Sequence, residues 1–276
     1  MEKIGIIGYG NMGRAIAERI SGKYAVSVFD KDKNKISDLK NITATDTPGD
    51  LVKQSEIIIL AVKPQDFDAL LSEIKPFVLD KLVITIAAGI TTKYIKSYLG
   101  EKARIVRIMP NLPAQINQGI SVLSKIQNTA EGDLNQAWEL THDIFSNLGS
   151  VLPVDKEEMI NAATAISGSG PAFFCYFIKE KKNAAKGRDE FIKNLTLAAV
   201  NLGFDHSEAG LLSEKTVDGT IAMLSERNLS CEDLIKMVAS KGGTTEAGLE
   251  ALRSGYPLQE AVDRAFKRAG ELEKRR

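Results

Sequence analysis

The run Ile4-Gly5-Ile6-Ile7-Gly8-Tyr9-Gly10-Asn11-Met12-Gly13 constrains this chain more than any other. A short apolar stretch leads directly into G-x-G-x-x-G, and Arg14–Ile20 continues at helical spacing. That strand–turn–helix context turns a glycine pattern into an expectation of dinucleotide binding. Gly8 permits the tight turn, Gly10 lets the backbone approach a pyrophosphate, and Gly13 lets helix and strand pack closely. The pyrophosphate then meets free N–H groups and the positive end of a helix dipole. Tyr9, Asn11 and Met12 share the turn and are expected to line the cofactor with the glycines. Without a ligand, the same residues would be a glycine turn only.

The length of 276 residues, 43% of them hydrophobic, is enough for a substantial core and argues for two domains. Basic and acidic residues balance at 36 each, so nothing suggests nucleic acid or another polyanion as partner. Cys175 and Cys231 lie far apart in sequence with no metal-like spacing; they read as buried thiols in a reducing compartment, and no metal is expected. The N-terminal apolar run is short and ends in the glycine turn, unlike a signal peptide. No stretch approaches the roughly twenty apolar residues that span a membrane. These features predict a soluble, cytoplasmic protein.

Strands and helices alternate through the first half. Lys3–Gly8, Tyr24–Phe29, Glu56–Val62, Leu82–Ala87 and Ala103–Ile108 read as strands. Asn11–Ser21, Lys33–Leu39, Pro48–Gln54, Gln65–Ile74 and Thr91–Tyr98 read as helices. Continuous apolar runs such as Ile57–Val62 suit a parallel sheet covered on both faces, and the alternation predicts a doubly wound, mainly parallel α/β fold. Gly119–Leu123 is a candidate further strand, Glu131–Leu148 a helix and Val151–Val154 a last short strand. Beyond Asp155 the pattern is helical, with Lys156–Ser167, Pro171–Lys186, Glu190–Leu202, Ser207–Arg227, Cys231–Ala239, Thr245–Arg253 and Pro257–Arg276. The expected division is a Rossmann domain over 1–155 and an all-α domain over 156–276. Two breaks in the helical half combine glycine with hydroxyls: Ser167-Gly168-Ser169-Gly170-Pro171 and Ser240-Lys241-Gly242-Gly243-Thr244-Thr245. Each reads as a turn opening a helix, able to offer N–H groups and hydroxyls to an anion, or as a turn alone.

Asp30 ends the second strand, 22 positions after Gly8. A carboxylate there suits the adenosine ribose hydroxyls of NAD and repels the extra phosphate of NADP, although Lys31 and Lys33 stand next to it. The plain alternative is a surface aspartate capping the next helix. Ala61-Val62-Lys63-Pro64-Gln65 and Ala87-Ala88-Gly89 follow further strand ends, where open parallel sheets bind ligands. Met109-Pro110-Asn111-Leu112-Pro113 is stiffened by two prolines and presents the Asn111 amide. Acid–base machinery is scarce. His142 and His206 adjoin neither glycine turn, and there is no nucleophile elbow or Cys–His pairing. Such a site suits hydride transfer to an already electrophilic carbon, such as a protonated imine, with the cofactor carrying the chemistry.

Taken in order, the N-terminal glycine turn, Ala61–Gln65, Met109–Asn111, Ser167–Ala172 and Gly242–Thr245 resemble the motifs of pyrroline-5-carboxylate reductases, over nearly the whole chain. The resemblance implies reduction of 1-pyrroline-5-carboxylate to L-proline with NADH or NADPH, the last step of proline biosynthesis. It also implies a Rossmann domain joined to a helical dimerisation domain, in a homodimer or a larger homo-oligomer. Carried over, Gly242 and Gly243 offer backbone N–H groups to the substrate carboxylate, with Thr244 and Ser240 beside them. Thr245 is the catalytic residue, hydrogen-bonding the ring nitrogen. Asn111 and Lys63 line the nicotinamide side, with Ala87 and Ala88 near the cofactor. Leu112 replaces a usual threonine, Lys241 a usual proline, and Lys179–Lys193 looks like an insertion. Asp30 departs from NADP-preferring members and favours NADH. Competing readings are a related imine reductase or 3-hydroxyacid dehydrogenase, and a dinucleotide-binding sensor without chemistry. Those dehydrogenases usually place a proton-transfer lysine on a long helix after the Rossmann domain; the helical half here shows Gly-Gly-Thr-Thr instead, which counts against that reading.

Overall fold

The computed structural model describes residues 1–125, 131–179 and 184–274. The first half comprises β1 (Lys3–Ile7), α1 (Asn11–Ile20), β2 (Ala25–Phe29), β3 (Thr43–Ala44), α2 (Pro48–Gln54), β4 (Ile57–Leu60), α3 (Phe67–Ile74), β5 (Leu82–Thr85), α4 (Thr92–Leu99), β6 (Arg104–Met109), β7 (Gly119–Ser124), α5 (Glu131–Ser146) and β8 (Gly149–Val154). These strands form one sheet in the order β3-β2-β1-β4-β5-β6-β7-β8. From β3 to β6 every pairing is parallel; β7 runs antiparallel to β6, and β8 parallel to β7.

Alternation along the buried strands sends side chains to both faces. Ile4, Ile6, Ile57 and Ile59 join Ile16, Ile20 and Phe145 on one face, beneath α1 and α5. Ile7, Ile58 and Leu60 join Leu51, Phe67 and Leu71 on the other, beneath α2 and α3. Continuous apolar strands follow from this double covering. The sheet stops at Val154. After it come α6 (Met159–Ala163), α7 (Gly170–Ile178), α8 (Ala184–Asn201), α9 (His206–Glu226), α10 (Cys231–Val238), α11 (Thr244–Arg253) and α12 (Leu258–Lys274), around their own apolar core. Among the described residues, no helix is long and apolar enough to cross a membrane.

Several expectations change in detail. The helix expected over Lys33–Leu39 is a short 3-10 turn, Lys33–Ile36. Asp32 accepts the Asn34 amide and the Ser37 hydroxyl bonds the Asn34 carbonyl, local bonds that compete with a longer helix. The Ser167–Pro171 break is not an open turn. A π-helical turn over Thr164–Gly168 links α6 to α7 almost without interruption, and Ser167 and Ser169 are fully buried. The helix expected to Lys186 ends at Ile178, and residues 180–183 of the supposed insertion lie outside the described residues. Cys231 is half-buried and not fully covered, because it opens α10. It also stands beside Cys175; burial first, and then this neighbour, push the Cys175 thiol well above its ordinary range.

Arg107 on β6 joins the two halves. Its side chain is 1% exposed, and its guanidinium meets Glu157 at 3.2 Å, Glu273 of α12 at 2.8 Å and the Asn161 amide oxygen of α6 at 3.1 Å. Glu157 in turn accepts the Thr92 amide and hydroxyl at the start of α4. Removing one partner of such a network strands the others. Arg107→Met is therefore expected to cost about 3 kcal/mol in urea denaturation, and adding Glu273→Gln should recover part of that loss.

Candidate active site

The glycine loop is shaped by close approach. Gly8 takes φ +103°, and a Cβ there would lie 2.6 Å from the Ala61 carbonyl oxygen. A Cβ on Gly13 would lie 1.9 Å from the Gly8 carbonyl oxygen. These two glycines let β1, α1 and the end of β4 converge. Gly10 differs: a Cβ there would meet nothing within 4 Å, and the residue faces a cavity. Gly10 precedes α1 as its N-cap and offers no side-chain cap, and the first turn of the helix holds no acidic residue. Its first amides have no intrahelical acceptor, so the end suits a pyrophosphate.

The cavity, about 520 Å³, is lined by Gly8, Gly10, Asp30, Lys31, Ala61, Val62 and Lys63. Asp30, only 7% exposed, accepts the Tyr9 amide at 2.7 Å, the Asp32 amide at 2.9 Å and the Lys35 ammonium at 3.4 Å. Burial works to raise its carboxyl, but the two amides and Lys35 outweigh it and hold it below its ordinary value. The aspartate thus stitches the glycine loop to the end of β2 as well as facing the cavity. Lys35, which the sequence reading passed over, is the cation on Asp30. Lys31 instead pairs with Asp66 at 2.9 Å, joining the loops after β2 and β4, and Lys33 bonds the Thr45 and Asp46 carbonyls.

The remaining cofactor candidates do not line that cavity. Tyr9 is buried, Met12 packs on the core beneath α1, and Pro64 opens the 3-10 turn after Lys63. The Asn11 amide reaches the Met237 carbonyl of α10 at 3.4 Å, tying the glycine loop to the helical half. The Ala87 amide bonds Thr85, and Ala88 packs on the helical core. Asn111 is 2% exposed; its oxygen accepts the Ile120 amide at 2.9 Å, while its Nδ2 is buried without a partner. Leu112 sits among Ile116, Cys175 and Leu234, an apolar setting that accounts for the absence of threonine.

Ser240, Gly242, Gly243, Thr244 and Thr245 share the connection from α10 to α11. Gly242, at φ +70°, donates its amide to Glu246 at 2.5 Å and accepts Arg268 at 2.8 Å. Gly243 donates to the Ser240 carbonyl at 3.0 Å. Both glycine amides are therefore engaged within the chain. The amides of Thr244 and Thr245, in the first turn of α11, have no intrahelical acceptor and are the better placed for an anion. Ser240 and Lys241 are exposed. Thr244 and Thr245 are buried, and both reach Ser169 at the end of the π turn. Gly248 allows this: a Cβ there would lie 2.2 Å from Phe173 of α7, so α11 and α7 touch. Ser169, Glu246 and Arg268 were not picked out as site residues; Ser169 alone had a signal, within a glycine–hydroxyl segment. His142 stacks on Trp138 of α5, and His206 opens α9.

Asp30 gives a pH test. A carboxylate held below its ordinary pKa of 3.8 stabilises the fold above that value, and the contribution disappears as pH falls through the folded pKa. Asp30→Asn is expected to melt below the parent protein at pH 7, with the gap closing below about pH 4 in a thermal series.

Residues 3–89 match the family described as "NADP oxidoreductase coenzyme F420-dependent" and residues 189–274 the family "Pyrroline-5-carboxylate reductase dimerisation". A pyrroline-5-carboxylate reductase of Methanosarcina acetivorans is 33% identical over 99% of both chains. Among solved structures, a pyrroline-5-carboxylate reductase of Coxiella burnetii is 32% identical, with a TM-score of 0.62 over 98% of this chain and 97% of that one. The Plasmodium falciparum pyrroline carboxylate reductase with NADP bound is 26% identical, with a TM-score of 0.63 over 99% and 98%.

Proposed function

Because the chain belongs to the pyrroline-5-carboxylate reductase family, we propose a reading of its site from the reaction that membership brings. The protein reduces 1-pyrroline-5-carboxylate to L-proline with NAD(P)H and works as a homo-oligomer. The observation that carries this is likeness along the full length, through both the glycine loop and the Gly-Gly-Thr-Thr segment. Exposed Leu197, Leu211, Ile221 and Phe266 on α8, α9 and α12 support self-association through the helical half. We divide the chain at residue 155, with cofactor on 1–155 and dimerisation and substrate contacts on 156–276. Its paired free thiols suit a reducing cytoplasm.

The nicotinamide supplies the hydride when the cofactor is bound. The chain contributes binding and orientation. Gly10 and the first turn of α1 hold the pyrophosphate, and Asp30 receives the adenosine ribose. The amides of Thr244 and Thr245, with the Ser240 hydroxyl, hold the substrate carboxylate, and Gly242 and Gly243 shape the turn that presents them. Thr245 also contacts the ring nitrogen, fixing the imine carbon toward the nicotinamide, with Asn111 and Lys63 on that side. Orientation of this kind lowers the barrier by fixing reacting atoms before the transition state.

Two measurements test these roles. Asp30 retains a lone pair for the ribose, so NADH should be used at least as well as NADPH; Asp30→Ser should turn the preference toward NADPH. A clear wild-type preference for NADPH in kcat/KM would refute the Asp30 assignment. Thr245→Ala should lower kcat about a hundredfold, on the order of 2–3 kcal/mol, and not merely raise KM. Thr245→Ser should keep much of the rate, and His142→Ala and His206→Ala should be close to wild type.

A further inference from the structure

Ser169 has one hydroxyl hydrogen and two lone pairs. The Thr164 carbonyl oxygen lies 3.2 Å from its Oγ and can only accept, so the hydrogen goes there. The same carbonyl accepts the Ser169 amide at 2.9 Å, the closure that makes this turn π-helical, and the two bonds together set the serine's rotamer. Thr245 Oγ1, at 3.0 Å, and Thr244 Oγ1, at 3.3 Å, must then both donate to Ser169. The serine is saturated, and both threonine hydrogens are drawn away from the rest of the site. Exposures of 0%, 8% and 5% for Ser169, Thr244 and Thr245 leave little water to compete for those hydrogens.

Building on the proposed contact of Thr245 with the ring nitrogen, we propose that Ser169 is a positioning residue that makes the Thr245 hydroxyl a hydrogen-bond acceptor, so that the site selects the protonated iminium form of its substrate. Lone pairs on Thr245 Oγ1 attract an N–H⁺ and repel the lone pair of a neutral imine. The contact raises the pKa of the bound imine, because it favours the charged form. When hydride adds to the imine carbon, the C=N π pair moves onto nitrogen, which keeps the proton it already carries. The secondary amine forms without an acid from the protein, in keeping with a site that has no histidine. Interrupted helices of this type are frequent at functional sites, and here the wide turn brings Ser169 over the Thr164 carbonyl.

Titration calorimetry tests the polarity directly, with three ring carboxylates as probes. L-Proline offers N–H donors, tetrahydrofuran-2-carboxylate offers only a ring oxygen, and cyclopentanecarboxylate offers neither. The wild type should prefer proline to the ether. In Ser169→Ala the Thr245 hydrogen is released, and the proline-to-ether ratio should fall about tenfold, with ether gaining on the cyclopentane. Ser169→Cys, a weaker donor and acceptor, should fall between. Ser167→Ala is the control, since the Ser167 hydroxyl bonds the Ala163 carbonyl in the same turn; it should keep the wild-type ratio. In steady-state kinetics, the pH at which kcat falls should drop by about one unit in Ser169→Ala, the equivalent of that tenfold. An unchanged ratio in Ser169→Ala alongside an altered one in Thr245→Ala overturns the role of Ser169 and leaves the Thr245 contact standing. Wild-type binding of all three probes by Thr245→Ala overturns the Thr245 contact itself.

Discussion

The burial of Arg107 is the constraint on which the rest of the structure depends. An arginine cannot give up its charge to suit its surroundings, so a guanidinium at 1% exposure has to find carboxylates. The sheet supplies none. Glu157 comes from the segment entering α6, Glu273 from α12 and Asn161 from α6, which forces the helical half onto the carboxyl end of the sheet. Thr92 bonds the same Glu157, so the start of α4 is drawn in too. Gly89 completes the fit, because a Cβ there would stand 2.7 Å from Leu272. The halves are thus docked by specific groups on both sides.

That docking joins two unlike pieces of chemistry in one chain. On one side are the glycine loop and the end of β2, where backbone amides and a carboxylate face a cavity. On the other is a dry cluster of hydroxyls at the junction of α7 and α11. The cluster exists because Gly248 has no side chain to hold Phe173 away and because Gly170 lets α7 approach Thr216 of α9. Hydroxyls enclosed this way have few orientations available, and a hydrogen-bond network in low-dielectric surroundings polarises more strongly than one in water.

Much of this was legible in advance, for identifiable reasons. The parallel strands announced themselves because a strand covered on both faces has no polar alternation, as in Ile57–Leu60. Gly8 and Gly13 stood out because the backbone geometry at their positions excludes a Cβ. Asp30 was visible from its place at a strand end, but its bonds to Tyr9 and Lys35 were not, since they depend on how the loop folds back. The role of Ser169 is not legible in its glycine–hydroxyl segment, because π geometry has no clear sequence signal and its partners lie 75 and 76 residues away. The occupied amides of Gly242 and Gly243 were equally hidden, as the Glu246 carboxylate and the Ser240 carbonyl meet them only in the folded chain. Arg107 looked like any charge on a strand.

The three bonds that Asp30 makes have a thermodynamic consequence. A glycine-rich loop has more backbone freedom than most, and a ligand that orders it must offset that entropy. Here the ordering happens on folding, when the Tyr9 amide is tied to the end of β2. A dinucleotide bound at Gly10, as proposed above, would meet a preorganised surface, and little of its contact energy would be spent on ordering the loop. Binding to such a surface leaves little of the heat-capacity change that accompanies coupled folding, and association is governed by diffusion and electrostatics, with no wait for a rare loop conformation.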